Sequence, residues 1–454
     1  MKIVIVGDGK LGFTLAKLLS GEKHDITLID NNSDVLEKSQ EALDVMTVSG
    51  NGASLEIQEE ADVKSAELLI AVTASDEVNL LCCALAKKLG CHHTIARVRN
   101  AEYTKQLQFM REDFGLSMIV NPELAASRTI FRIIQFPSFL KIDSFSKGRV
   151  ELVELKVDDD SPLIGKRLDK LFHELKLKIL VCAVERGEEI FIPNGDFELK
   201  AGDKINVTAP RSNLARMIKQ LGISKQKIRN VMTIGGGKIA EYLAEELISS
   251  GVNVKIVENN HERCVELASR LPEALIINDD GSSRDVLLAE GIEETDAVIT
   301  LTNLDEQNLV ISMYANHVGV PKTITKLNRT EYNILFSDIG IGSTICPKDI
   351  VANDVIRYVR SMEHGSGGSI LTLHKIVDDK AEAIEFYADE GTRYLSVPLK
   401  DIPLKKNLLI ASINHNGNII IPSGADYISR GDTVILVTTG REPIKELNDI
   451  FADE

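Results

Sequence analysis

From its start the chain alternates between short, wholly apolar runs and longer amphipathic stretches. Ile3-Val4-Ile5-Val6 is apolar throughout, as a strand covered on both faces must be. After the turn Gly7-Asp8-Gly9-Lys10-Leu11-Gly12 the spacing predicts an amphipathic helix, and a second strand, Ile26 to Ile29, ends on Asp30. A polar helix over Ser33–Glu41, a strand over Asp44–Val48 and the turn Ser49-Gly50-Asn51-Gly52 follow. Next come a helix from near Ser54, the strand Leu68–Val72, a helix over Glu77–Leu89 and the strand His93–Val98. Strands alternating with helices predict a doubly wound parallel sheet, a Rossmann-like α/β fold.

The texture then changes. A helix is predicted from Asn121-Pro122 to about Gln135, stopped by Pro137. Its apolar positions, Leu124, Ile130, Ile133 and Ile134, lie on more than one side, so it is expected to bury against a partner surface. Short alternating strands follow at Val150–Val157, Ile179–Val184, Glu189–Ile192 and Lys204–Val207. They are punctuated by Pro162-Leu163-Ile164-Gly165 and Ala201-Gly202-Asp203 and predict a small α/β module ending near Leu221. That module shows no nucleophile, metal or acid–base spacing, and His173 reads as a helix-surface residue.

The whole arrangement then repeats. Val231–Ile234 is a strand, Gly235-Gly236-Gly237-Lys238-Ile239-Ala240 a turn, and Glu258 closes the next strand. Gly235 and Glu258 stand 228 residues after Gly7 and Asp30. At an offset of 229, Asp305-Glu306-Gln307-Asn308 echoes Asp76-Glu77-Val78-Asn79, and Glu331-Tyr332 echoes Glu102-Tyr103. Pro422 and Gly431-Asp432 echo Pro193 and Gly202-Asp203 at the same offset. Each copy is large enough for its own core, so this is a duplicated two-module unit rather than a solenoid. The expected domains are 1–135 and 228–362 (Rossmann-like) and 138–222 and 369–454 (small lobes), with Ser366-Gly367-Gly368 as a flexible hinge.

The candidate chemistry sits in the glycine turns. Gly7 permits a tight strand-to-helix turn, Gly9 leaves no Cβ between backbone and a pyrophosphate, and Gly12 lets helix and strand pack closely. The helix start offers unpaired N–H groups to phosphate, and Asp30 can accept hydrogen bonds from ribose hydroxyls. Thr73-Ala74 and Arg97 also fall at predicted strand ends, where ligands of such sheets sit. Arg97 reads equally as a salt-bridging arginine. Lys10 and Lys238 each place a cation in a helix's first turn, unfavourable by about 0.3–1 kcal/mol unless a phosphate reverses the sign; each reads equally as a solvated lysine leaning away. In the second copy Ala240 replaces the third glycine, Glu258 replaces Asp30, and Lys326 replaces Arg97, keeping the charge without the planar fork.

Composition narrows the classes. A chain of 454 residues with 44% hydrophobic and 26% charged residues is a multidomain soluble type. The net charge of −16 argues against nucleic acid and against free docking on an anionic membrane. No apolar run approaches a membrane span, Met1 leads directly into the first strand, and the six cysteines lack zinc spacing, so a cytosolic protein without signal peptide or metal is expected.

On these residues the chain resembles the TrkA family, the peripheral cytosolic subunits of Trk-type bacterial and archaeal potassium uptake systems built from tandem RCK (KTN) domains. The likeness is carried by Gly7 to Gly12 with Asp30, by Thr73-Ala74-Ser75-Asp76-Glu77, by Ile95-Ala96-Arg97-Val98-Arg99 and by Pro193 with Gly202-Asp203. It implies nucleotide contacts at Gly7, Asp8, Gly9, Lys10, Leu11, Asp30, Thr73, Ala74 and Arg97. In the second unit it implies them at Gly235, Gly236, Gly237, Lys238, Ile239, Glu258, Thr302, Asn303 and Lys326. NAD(H) and ATP/ADP both present an adenosine ribose and phosphates, and both fit. The resemblance further implies a homo-oligomeric ring, a tetramer of tandem chains, beneath a potassium-translocating membrane subunit. Membrane contact would come only through that partner, and the crossover helices 122–136 and 347–361 would be subunit contacts and hinges. The alternative is an NAD-dependent oxidoreductase, which needs a positioned acid–base residue that the short modules do not offer. A dinucleotide-sensing transcription regulator is opposed by the acidic charge.

Overall fold

The apolar runs form the centres of two parallel sheets. The computed structural model describes the chain except residues 101–102, 104–105, 108–110, 146–148, 223–226, 330–341, 363–369, 377–380, 440–443 and 453–454. The hinge Ser366-Gly367-Gly368 and the Glu102 and Glu331-Tyr332 echoes lie outside the described residues, and His173 falls on a helix but its side chain is likewise not described.

The first sheet contains β1 (Lys2–Val6), β2 (Asp25–Asp30), β3 (Met46–Ser49), β4 (Leu68–Ala71), β5 (His93–Arg97) and β6 (Met118–Val120), in the order β3-β2-β1-β4-β5-β6. All its pairings are parallel. Helices α1 (Lys10–Gly21), α2 (Ser33–Ala42), α3 (Leu55–Glu60) and α4 (Asp76–Leu89) connect the strands, and α5 (Pro122–Gln135) leads out of the sheet. Local chemistry sets the helix ends. Asn32 caps α2 by accepting from Asp34 N–H, and Ser75 caps α4 by accepting from Val78 N–H. Asp76 and Glu77 in the first turn of α4 and Lys87 and Lys88 in its last complement the helix dipole, and Gly90 ends it in the left-handed region.

The first small lobe is a wholly antiparallel sheet of β7 (Lys141–Phe145), β8 (Val150–Lys156), β9 (Leu180–Arg186), β10 (Glu189–Phe191) and β11 (Lys204–Pro210). Helices α6 (Leu168–Leu175) and α7 (Arg211–Leu221) complete it. The four sequence-predicted strands are present, and β7 is an addition.

The second Rossmann sheet repeats the first. It comprises β12 (Asn230–Ile234), β13 (Asn253–Glu258), β14 (Leu275–Asn278), β15 (Ala297–Thr300), β16 (Lys322–Lys326) and β17 (Ser343–Ile345), in the order β14-β13-β12-β15-β16-β17. Among the described residues its α-helices are α8 (Lys238–Ser249), α9 (His261–Arg270), α10 (Arg284–Ala289), α11 (Asp305–His317) and the exit helix α12 (Pro347–Met362). The last lobe holds β18 (Ile370–Ile376), β19 (Ala381–Tyr387), β20 (Leu408–His415), β21 (Asn418–Ile420) and β22 (Thr433–Thr438), again antiparallel.

One compact unit gathers Met1–Ser127 and Cys346–Ile356, and the other gathers Arg128–Ile345 and Arg357–Glu454. Within the second, the two small lobes share a core. Phe145, Val150, Leu152, Cys182 and Ala183 of the first lobe pack with Ala383, Ala411, Ile435 and Val437 of the last. Among the described residues no helix is long and apolar enough to cross a membrane, and no cluster of three or more His, Cys, Asp or Glu side chains could hold a metal ion.

Candidate functional site

The turn after β1 folds as its glycines require. Gly7 has φ of +99°, and a Cβ there would lie 2.9 Å from Thr73 N. A Cβ on Gly12 would lie 1.9 Å from the Gly7 carbonyl oxygen, so α1 seats directly on the turn. Gly9 forms the start of α1 with no side-chain cap, and the space where its Cβ would stand is open. The first N–H groups of α1 therefore face an open edge of the sheet.

Asp30, the last residue of β2, reaches that turn. One of its oxygens accepts from Asp8 N–H (2.7 Å) and the other from Asn32 N–H (2.9 Å). The acid at the end of β2 thus braces the glycine loop. Thr73 follows β4, and its N–H and hydroxyl both donate to Asn79 Oδ1, at 2.8 and 2.7 Å. Asn79, wholly buried, returns its amide N–H groups to the carbonyls of Thr73 (3.2 Å) and Arg97 (2.9 Å). It ties the ends of β4 and β5 together beneath the candidate cleft. The Ala74 carbonyl accepts from the Arg99 guanidinium. Arg97 pairs with Glu123 at 2.9 Å, in the first turn of α5. Of its two sequence readings, the structure displays the salt bridge. Lys10 is exposed, whereas Leu11 is buried beneath the loop as packing.

Asp8 is 3% exposed. Oδ2 accepts from the Ser39 hydroxyl at 2.6 Å, while Oδ1 is buried without a partner. Burial pushes this carboxyl above its ordinary value, Ser39 pulls it part of the way back, and the Asp30 charge adds to the rise. A carboxyl raised in the folded state opposes folding when ionised, and the penalty is relieved as pH falls through its folded pKa. Asp8→Asn is therefore expected to raise the melting temperature near pH 7. The gain should shrink on acidification, as the wild-type carboxyl takes up its own proton at a higher pH than an ordinary aspartate. Melting curves taken as the pH is lowered check it; a difference that does not change with pH refutes it.

The second half rebuilds this geometry with different side chains. Gly235 has φ of +100°. Glu258 spans the extra methylene: Oε2 accepts from Gly236 N–H (2.7 Å) and Oε1 from Asn260 N–H (2.8 Å). Gly237 starts α8 beneath open space. Thr302 N–H and hydroxyl donate to Asn308 Oδ1 at 2.9 and 2.7 Å, and Asn308 donates to the carbonyls of Thr302 (3.1 Å) and Lys326 (3.0 Å). Asn303 is exposed; Ile239 and Ala240 are buried. Lys326 is buried, its Nζ 3.4 Å from the Leu301 carbonyl.

Two differences bear on charge. Gly236 and Leu267 stand where the first half has Asp8 and Ser39, so the buried carboxyl is gone, and a Cβ on Gly236 would meet Leu267 at 2.6 Å. Lys238 is drawn to Glu241 (3.1 Å), which Arg263 (2.7 Å) and Arg270 (2.8 Å) also hold. Burial pushes Glu241 up, but Arg263 and Lys238 outweigh it and keep the carboxyl below its usual range. Arg263 Nε donates to the Gly236 carbonyl at 2.8 Å, bracing this loop from behind.

The structure therefore gathers Gly7, Asp8, Gly9, Lys10, Leu11, Gly12, Asp30, Thr73, Ala74 and Arg97 at the carboxyl edge of one sheet. It gathers Gly235, Gly236, Gly237, Lys238, Ile239, Glu258, Thr302, Asn303 and Lys326 at the same edge of the other. Sequence reasoning passed over the roles of Asn79, Asn308, Ser39 and Arg263. Only the echo of Asp76–Asn79 in Asp305–Asn308 pointed toward the two asparagines.

Two Rossmann cradles in tandem, each followed by a small antiparallel lobe, define a duplicated protein of nucleotide-binding fold. The chain belongs to the TrkA family: the TrkA-N domain matches residues 3–122 and 231–347, and the TrkA-C domain matches 152–222 and 383–452. It is 33% identical to the Trk system potassium uptake protein TrkA homolog 2 of Methanosarcina mazei, over 96% of this chain and 97% of that protein. It is 33% identical to the Trk system potassium uptake protein TrkA of Halomonas elongata, over 99% of this chain and 98% of that one. Among solved structures it resembles the GsuK channel bound to NAD, with a TM-score of 0.63 and 16% identity, covering 96% of this chain and 76% of that one.

Proposed function

We propose that the chain is a cytosolic regulatory subunit of a Trk-type potassium uptake system, sensing NAD(H) or adenine nucleotides at both Rossmann edges. The observation that carries this reading is the duplicated cradle. In each half an acid at the second strand's end grips the glycine loop, and an open helix start faces the same edge. Gly7, Gly9 and the start of α1 would hold phosphates, Asp30 the ribose, and Thr73-Ala74 the far wall of the cleft. Gly235 to Ile239, Glu258 and Thr302-Asn303 would do the same in the second half, with Arg97 and Lys326 at the adjoining strand ends.

Regulation requires that a ligand favour one shape of the assembly. A nucleotide shifts the equilibrium only by its difference in affinity between shapes, so ATP against ADP, or NADH against NAD, must bind one shape better. The full-length names of the family relatives support a potassium-translocating membrane partner. A homo-oligomeric ring, tetrameric in chains, would give the crossover helices α5 and α12 a place as contacts and hinges. The chain would sit on the cytoplasmic face and reach the membrane only through that partner.

The test is calorimetric titration of ATP, ADP, NAD and NADH into the full-length protein, followed by flux through the cognate membrane subunit. Binding in the micromolar range or tighter, without turnover, and a nucleotide-dependent change in potassium flux are expected. Rapid NADH oxidation across a panel of carbonyl substrates would replace this reading with the oxidoreductase one. Absence of any nucleotide binding would remove the sensing role.

A further inference from the structure

Lys322 is a buried cation that the nucleotide reading leaves without a role. It opens β16, is 5% exposed, and donates to the carbonyls of Phe139 (2.7 Å) and Pro137 (3.2 Å). Those carbonyls belong to the elbow between the first half's crossover helix α5 and β7 of the first small lobe. Ser343, opening β17, adds a bond from its hydroxyl to the Leu140 carbonyl at 2.7 Å. Phe139 is wholly buried, its ring 5.7 Å from that of Phe136. The elbow is therefore fastened to the amino-terminal edge of the second Rossmann sheet.

The opposite end of β16 lies at the candidate nucleotide edge. There the Lys326 carbonyl accepts from Asn308, which also holds Thr302 by its N–H and hydroxyl. One five-residue strand thus touches the second cradle at one end and the first lobe's elbow at the other. The strand is hydrogen-bonded on both sides, to β15 and to β17, and so is held along its length. Taking an ammonium out of water is costly, and an apolar side chain of similar length would fill the space. The lysine gives a directional grip on these two carbonyls that an apolar chain could not. The equivalent position in the first half is His93, which meets Ser117 Oγ at 3.3 Å. A histidine ring cannot present three N–H donors to two carbonyls.

We propose that Lys322 is a coupling residue through which nucleotide bound by the second half is transmitted to the first small lobe. The inference rests on the nucleotide reading of the second cradle. Transmission here means a measurable free-energy linkage between the two places, not mere adjacency.

The experiment uses the full chain carrying Asp30→Ala, which weakens the first site. ATP, ADP, NAD and NADH are each added at the concentration that calorimetry shows fills one site per chain, and amide hydrogen exchange is followed in residues 136–145 and in the second Rossmann domain. In the parent, a ligand that binds is expected to change exchange in 136–145 by about fivefold, the low end of site-to-site coupling. In Lys322→Met, calorimetric affinity stays within about twofold, exchange in the second Rossmann domain still responds, and the response in 136–145 is lost. Ser343→Ala, which removes one elbow bond without touching the buried charge, is expected to diminish that response and serves if the methionine variant does not fold. An undiminished response in the folded variants, or none in the parent despite bound nucleotide, overturns the coupling. Failure of all four nucleotides to bind the parent overturns the nucleotide reading of the second site, and the coupling with it.

Discussion

In an Asp30→Ala variant, nucleotide affinity at the first site is expected to fall about 10- to 100-fold while the second site is unaffected. The estimate follows from losing hydrogen bonds to a charged acceptor, worth roughly 1.5–3 kcal/mol, at about 1.4 kcal/mol per factor of ten. In this structure one Asp30 oxygen accepts from Asp8 N–H. Its removal therefore frees the glycine loop as well as taking away the proposed ribose acceptor. Glu258→Ala should reproduce the effect in the second half, where the same bond runs to Gly236 N–H. Calorimetry on each variant and on the double variant separates the two sites. An unchanged first-site affinity would make Asp30 a brace for the loop and nothing more.

Arg186→Met is expected to destabilise the paired small lobes by about 3 kcal/mol, the low end of the cost of orphaning a buried charge. Asp203 is fully buried, and Arg186 donates to both of its oxygens at 2.7 Å, so the geometry is bidentate. The guanidinium also lies 5.0 Å from the Phe197 ring centroid and bonds the Glu198 carbonyl. Without it Asp203 retains the Lys200 N–H at 2.8 Å, too little to hold a buried carboxylate. A denaturant midpoint identical to wild type would contradict this. Arg186→Met with Asp203→Leu should recover most of the loss, because the pair is harder to break singly than to replace. The last lobe carries His415 against the equally buried Asp432 at 2.8 Å, the same solution with a single donor instead of a fork.

How much of this was legible in the sequence depended on how local each determinant is. The Rossmann strands were readable because both faces of each are covered: Ile3, Val4 and Ile5 are fully buried, which demands an uninterrupted apolar run. The glycine turns were readable because backbone geometry admits no other residue at Gly7. The strand β7 was not, because Lys141–Phe145 carries only Ile142 and Phe145 as apolar signals, and Phe145 is buried in a core shared with the last lobe. That partner arrives more than two hundred residues later. Arg97 could be read two ways because its partner Glu123 reaches it only through the path of the chain after β5. The pull of Glu241 on Lys238 was closer to hand, an i,i+3 pair, but the arginines that anchor Glu241 come from the next helix.

The compact unit built on the first Rossmann sheet includes Cys346–Ile356, the opening turns of α12, which the duplication assigns to the other half. The period of the sequence and the unit of packing are therefore out of step. A chain cut at the repeat boundary, about residue 228, would lose Val351, Ala352 and Val355, all buried in the intact protein. Two free half-chains would have to meet in solution before either could complete its core, and their stability would vary with concentration. Joining them in one polypeptide replaces that encounter with an intramolecular one, at an effective concentration in roughly the millimolar range. The duplication thus makes assembly of the pair independent of how much protein the cell contains.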